Sequence, residues 1–225
     1  TIDEISKIKW KNLIYLSQYE IFKKEFFKNK SYNVIYADFD DLPFKKKSFD
    51  LVISNFCTNK VLEKKNYLKK ILDILTDDGL FLCNFFGEQT LRELRQCFFV
   101  ADDRFLSGAF NRIPKVDLMA DFSNLLAEVG YNEIVTEKVN FDIFYKSIIG
   151  ILKDIKNMGE KIPIIEKKEK ISKTYINFLN KIYIKEFANQ NRQLKVTLDI
   201  ISISSWKQLK KNSKNQWFFY LRWAF

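Results

Sequence analysis

The sequence predicts an α/β domain built on a mostly parallel sheet, with a helical cover toward its C-terminal end. Two observations predict it. Short continuous apolar runs, among them NLIYL, NVIYA and LFLCNFF, are the length of strands and carry the Ile, Val, Leu and Phe of strands buried on both faces. Segments with apolar residues at helical spacing follow these runs, and that alternation marks parallel sheets joined by helices.

The elements follow in order. A strand is expected near Asn12–Leu16, then a helix in QYEIFKKEFFKNK, where Tyr19, Phe22, Phe26 and Phe27 recur at helical spacing. Strands are expected near Asn33–Ala37 and Leu51–Phe56, separated by the loop DDLPFKKKS, in which Pro43 excludes helix. In LEKKNYLKKILDIL, Leu68, Ile71, Leu72 and Leu75 make one apolar helix face. TDDG then turns the chain, with Gly79 suited to a positive φ. A strand near Leu80–Phe85 and a helix in EQTLRELRQCFFVADD complete the first half. Beyond Asp103 come a short helix MADFSNLLAEVG, a strand in YNEIVTEKVNF, two amphipathic helices from Ile143 and from Glu166, and a last strand LKVTLDIISIS. The carboxyl ends of the parallel strands are expected to share one edge.

Composition narrows the chemistry. With no histidine, imidazole acid/base catalysis and histidine-based triads or metal sites are excluded. Cys57, Cys83 and Cys97 sit far apart in apolar contexts, as buried free thiols in a reducing compartment do. The net charge of +10 suits an acidic partner, but the lysines are spread along the chain and no RNA-binding motif is present. All six glycines lie beyond residue 78, so the first third of the chain cannot form a glycine-rich phosphate or nucleoside cradle.

The stretch ADFDDLPFKKKSFDLVISNF, Ala37 to Phe56, carries the most information. An acid ending a strand, a D-x-LPF turn, then F-D-[VL]-[VI]-x-S-N resembles the Rossmann-like class I S-adenosylmethionine-dependent methyltransferases. The resemblance implies that Asp38 bonds the adenine amine of S-adenosylmethionine and that Phe39 offers its backbone N–H to the ring. It also implies that Asn55 lies beside the cofactor at a strand's carboxyl end, the usual ligand edge of open parallel sheets. The alternative is that Asp38, Asp40 and Asp41 merely solvate a loop. G-x-x-T-L-x-E-L-R, here Gly87, Thr90, Leu91, Glu93, Leu94 and Arg95, narrows the resemblance. The subgroup it is similar to holds mitochondrial and α-proteobacterial proteins related to the complex I assembly factor that hydroxylates arginine, and the malonyl-carrier-protein O-methyltransferases. The resemblance runs from about Asn12 to Lys207.

Three departures stand out. The family's first strand and glycine loop are absent, and a sheet lacking that central strand is expected to expose two inner edges unless an upstream segment or another chain fills the gap. Tyr15 stands where the family carries the acid that binds the ribose, and a phenol cannot replace a bidentate carboxylate. Thr58, Asn59 and Lys60 replace the family's L-H-W.

Other candidates have two readings each. Arg92, Arg95 and Arg112 suit a carboxylate substrate or acidic partner, or a solvated helix face. Phe85 and Phe86 suit the core or a pocket wall. Residues 1–205 are expected to form the methyltransferase-like domain and 206–225 a basic aromatic tail that docks a partner, touches a membrane surface or packs back. The implied function is S-adenosylmethionine-dependent modification of a protein or carrier-bound substrate, in complex I assembly within mitochondria or in a bacterial cytoplasm. The alternative is an inactive methyltransferase-like subunit of a larger assembly.

Overall fold

The computed structural model describes residues 10–16, 33–37, 42–108, 110, 112–113, 116–157 and 171–208. The helix expected from Tyr19, Phe22, Phe26 and Phe27, the acids Asp38, Asp40 and Asp41 with Phe39, the first residues of the helix expected from Glu166, and the tail from residue 209 lie outside them.

Six strands form one sheet: β1 Asn12–Leu16, β2 Asn33–Ala37, β3 Phe49–Asn55, β4 Leu75–Phe86, β5 Asn132–Tyr145 and β6 Leu194–Trp206. Their order is β2-β1-β3-β4-β6-β5. β1 runs parallel to β2 and β3, β3 parallel to β4, and β6 antiparallel to β4. Among the described residues, five helices accompany them: α1 Lys64–Ile74, α2 Arg92–Leu106, α3 Met119–Val129, α4 Ile148–Asn157 and α5 Lys173–Phe187.

The chain folds as two compact units. Thr1–Phe86, Asp117–Lys138 and Ile200–Phe225 make the first, and Gly87–Val116 with Val139–Asp199 the second.

In the first unit, period-two alternation sends side chains to two separate apolar clusters. Ile14, Leu16, Val52, Phe81, Cys83 and Phe85 enter one cluster, with Tyr67, Leu68, Ile71 and Ile74 of α1 and Phe122 and Leu126 of α3. Leu13, Tyr15, Leu51 and Leu80 enter the other, with Trp10 and Trp206. A strand buried on both faces has no polar positions to alternate, which is why these runs read as continuous apolar sequence. At the amino ends, Asp50 accepts the N–H groups of Lys11 and Asn12, both at 3.1 Å, and fixes where β1 begins beside β3.

Two expectations are corrected here. Inner edges were expected to be exposed for want of a central strand, yet β1 bonds β2 on one side and β3 on the other, with Leu13 opposite Leu51 and Leu16 opposite Ser54. Direct pairing satisfies the backbone groups that a gap would orphan. TDDG is not a turn outside the strand but part of β4, and Gly79 is not at positive φ. Gly79 is needed for space: a Cβ there would lie 2.9 Å from Leu75 Cδ2 and from the Thr76 carbonyl oxygen. The glycine that does take positive φ is Gly130, at 107°, where its N–H bonds the last carbonyls of α3 and ends the helix.

The second unit packs α2, α4 and α5 around Leu94, Cys97, Phe98, Ile148, Ile151, Leu179 and Tyr183. Ser172 caps α5 by accepting the Tyr175 N–H at 3.1 Å.

Candidate functional site

Three adjacent strands of the first unit carry a polar residue at or near their carboxyl ends, and the structure joins them. The Asn55 Nδ2 at the end of β3 donates to the Tyr15 hydroxyl of β1 at 2.9 Å. The Asn84 Nδ2 of β4 donates to Asn55 Oδ1 at 3.2 Å. Parallel register makes this possible: Tyr15 lies opposite Ile53 and Asn55 opposite Asn84, so side chains from all three strands meet at one edge. Asn55 and Asn84 are half-buried, whereas the ring of Tyr15 is buried.

Just beyond, the chain turns sharply. Phe56 takes a φ of 53°, an uncommon conformation for a bulky residue, held by its N–H to the Asn84 carbonyl at 2.9 Å. Such strain costs on the order of 1–3 kcal/mol and concentrates at ligand sites. The Phe56 ring packs on Phe86 with centroids 4.7 Å apart. Thr58 follows in a 3-10 turn, fully buried, and its hydroxyl has no hydrogen-bond partner among the described residues. Ser54, also buried, bonds the Tyr67 hydroxyl at 3.0 Å.

Of the residues singled out in the sequence, Tyr15 and Asn55 therefore come together, while Asp38 and Phe39 lie outside the described residues. Asn84 joins the edge without having been anticipated. The one signal in the sequence was a lone carboxamide inside the apolar run LFLCNFF.

The three arginines are engaged within the second unit. Arg112 is buried, with its Nε 2.7 and 2.6 Å from the two carboxylate oxygens of Asp102, and its guanidinium lies over Phe98, Phe110 and Tyr175. The Tyr175 hydroxyl donates to the same carboxylate at 2.6 Å, and burial, reinforced by this bond, pushes its pKa up. Arg95 caps the carbonyls of Glu88 and Thr90, and Arg92 pairs with Glu93. Phe85 is core, packed on Phe122 at 4.8 Å. Lys46 and Lys47 form surface pairs with Asp73 and Asp77.

The G-x-x-T-L-x-E-L-R residues fasten the second unit. Gly87 donates its N–H to the Asp199 carbonyl, and a Cβ there would fall 2.5 Å from the Asp199 carboxylate. Thr90 Oγ1 donates to that carbonyl at 2.9 Å and accepts the Asp199 N–H at 3.0 Å. Buried Glu93 accepts from the Thr197 N–H and hydroxyl. Each invariant-looking letter thus has a structural task. Burial holds the Cys97 thiol up at about 12, so it stays protonated at neutral pH.

Residues 13–83 match the methyltransferase domain family. The fold agrees: a Bacillus halodurans structure assigned as a methyltransferase superposes with a TM-score of 0.51 at 11% identity, covering 92% of this chain and 97% of that one. The chain is therefore similar to the methyltransferases in sequence over residues 13–83 and in fold over most of its length. Its fold is the Rossmann-like sheet of that family, parallel through β1 to β4. The mitochondrial arginine-hydroxylase NDUFAF5 of Danio rerio is 26% identical over 180 residues, 80% of this chain and 56% of that protein. The malonyl-[acyl-carrier protein] O-methyltransferase of Nitrosospira multiformis is 31% identical over 127 residues, 55% of this chain and 38% of that protein. The chain spans about half the length of these relatives or less. No helix among the described residues is long and apolar enough to cross a membrane.

Proposed function

We propose that this methyltransferase-like chain binds S-adenosylmethionine and modifies a protein side chain or a carrier-bound group. The observation that carries the reading is the polar edge made by Tyr15, Asn55 and Asn84 at the carboxyl ends of parallel strands, where open α/β sheets take their ligands. A phenol and two carboxamides both donate and accept, which suits the hydroxyls and amine of a nucleoside. Asp38 would accept from the adenine amine and the Phe39 N–H would meet the ring. When bound, the cofactor supplies an electrophilic methyl group on its sulfonium. The chain's own residues then bind and orient, and positioning accounts for most of the acceleration such a site provides.

The relatives' names support a finer reading, an arginine in mitochondria or a malonyl group on an acyl-carrier protein, and the motif resemblance adds a respiratory-complex subunit as the protein substrate. Isothermal calorimetry of the native chain with S-adenosylmethionine and S-adenosylhomocysteine tests the core of it. Binding is expected, and Asp38→Ala should weaken it by about 1.5–3 kcal/mol, as loss of a hydrogen bond to a charged acceptor does. No binding by the native chain overturns the reading.

One observation favours a second reading, an inactive methyltransferase-like assembly subunit. Tyr15 occupies the position expected of the ribose-binding acid, and its phenol, which accepts from Asn55, cannot replace a bidentate carboxylate. The same calorimetry separates the two.

A further inference from the structure

The edge chain has a direction. Asn84 gives an N–H to Asn55 Oδ1, and Asn55 gives an N–H to the Tyr15 oxygen. In that orientation the Asn84 oxygen is the end of the chain: a half-buried acceptor on a carboxamide, one of whose two N–H groups is engaged by Asn55. Tyr15 controls this arrangement because a phenol can accept, as here, or donate. If it donated to Asn55, both carboxamides would turn over and Asn84 would present N–H instead.

We propose that Asn84 is a ligand-reading residue whose Oδ1 accepts a hydrogen bond from an N–H or O–H of the bound molecule, with Tyr15 as the positioning residue that sets the orientation of its amide. The inference rests on the functional reading above only for the identity of the ligand. The chemistry selected is a donor: a nucleoside hydroxyl or amine, or the N–H of an acceptor side chain. A bare carboxylate, which carries acceptors alone, finds no partner in that oxygen.

The test uses the native full chain, labelled with nitrogen-15, and follows the side-chain amide cross-peaks of Asn55 and Asn84, assigned by their loss in Asn55→Asp and Asn84→Asp. Three probes are titrated: S-adenosylhomocysteine, methylguanidinium, which only donates, and acetate, which only accepts. The Asn84 pair is expected to move with a donor probe and stay still with acetate. Movement with S-adenosylhomocysteine assigns the donor to the nucleoside; movement with methylguanidinium alone assigns it to the acceptor side. For the probe that moves the pair, Asn84→Leu should lower apparent affinity about five- to tenfold, the effect of one buried hydrogen bond, while Asn84→Asp, still an acceptor, stays within about threefold. In the probe-free protein, Tyr15→Phe should shift both amide pairs. Movement with acetate, no movement with any probe, or an Asn84 pair indifferent to Tyr15→Phe overturns the proposal. Calorimetry without S-adenosylhomocysteine binding, alongside a methylguanidinium response, overturns the functional reading and leaves this one standing.

Discussion

The two units bury different kinds of polar group. Among the described residues of the first, the buried polar side chains are Ser54, Thr58, Ser204 and Ser205, all hydroxyls. Every buried charge among the described residues sits in the second: Glu93, Asp102, Arg112 and Asp199. A buried hydroxyl costs less than a buried charge, even where, as at Thr58, Ser204 and Ser205, it has no partner among the described residues. A buried charge is stable only with a matched partner, and it holds that partner in one place. The first unit therefore rests on apolar burial and leaves its polar chemistry to the edge. The second is fastened by ion pairs and carboxylate bonds between residues far apart in sequence.

The largest expected effect breaks that fastening. Arg112→Met leaves the Asp102 carboxylate buried without its cation, and loss of one partner of such a pair costs about 3–5 kcal/mol. Replacing the whole group at once, with Asp102→Leu, Arg112→Met and Tyr175→Phe, should return stability to within about 1–2 kcal/mol of native, since apolar residues of similar volume substitute well for a buried pair. Urea denaturation of the single and triple variants makes the comparison. A triple variant as weak as the single one would mean that the charges themselves hold the unit together.

Next in size is Gly87→Ala. The added methyl would sit 2.5 Å from the Asp199 carboxylate, which is fixed by the Gln89 N–H at 3.0 Å and cannot swing away. Overpacking of this kind costs about 1–3 kcal/mol. Gly79→Ala is its counterpart in the first unit, where the nearest atoms are the Leu75 side chain and a backbone oxygen. Thermal melts of both variants show whether a fixed carboxylate yields less than a leucine; a larger loss at Gly79 would contradict the contrast drawn here.

A smaller effect belongs to the first unit. The buried Tyr131 hydroxyl donates to the Leu68 carbonyl at 3.0 Å, and burial raises its pKa. Tyr131→Phe removes one neutral bond and leaves the ring in place, for an expected loss of about 0.5–1.5 kcal/mol by chemical denaturation. A loss as large as that of Arg112→Met would erase the distinction between the units.

The first unit was the more legible in sequence for the same reason. Apolar runs and helical spacing are local signals, so β1 and β2 fall where NLIYL and NVIYA stand and α3 ends at Gly130. Fasteners of the second unit are not local. Glu93 meets Thr197 across 104 residues and Tyr175 meets Asp102 across 73, distances that no periodicity reveals. Arg92, Arg95 and Arg112 consequently read as candidate binding groups, although each has an internal partner. The edge lies between these cases. Tyr15 and Asn55 were visible as strand-end positions, but Asn84 gains meaning only from the register that sets β4 beside β3.

The smallest effect tests whether burial, rather than charge alone, makes the second unit's carboxylates matter. Asp142 is the exposed counterpart: it pairs with Lys195 at 2.7 Å and accepts from Thr197 at 3.3 Å, with its side chain 45% exposed. Its hydrogen bond to Lys195 holds its pKa below the usual carboxylate value. A carboxyl group whose pKa is lower folded than unfolded stabilises the fold when ionised. That contribution is complete above the unfolded value of about 4 and is lost as pH falls through the folded value. Solvent screens an exposed pair, so Asp142→Asn should cost only about 0.2–1 kcal/mol near neutral pH, and less in high salt. Denaturation of both proteins at pH 7, 5 and 3 should show the gap narrowing between the two lower values. A gap that persists at pH 3, or one at pH 7 that rivals the loss from Arg112→Met, would mean that exposed carboxylates carry the unit as much as buried ones do.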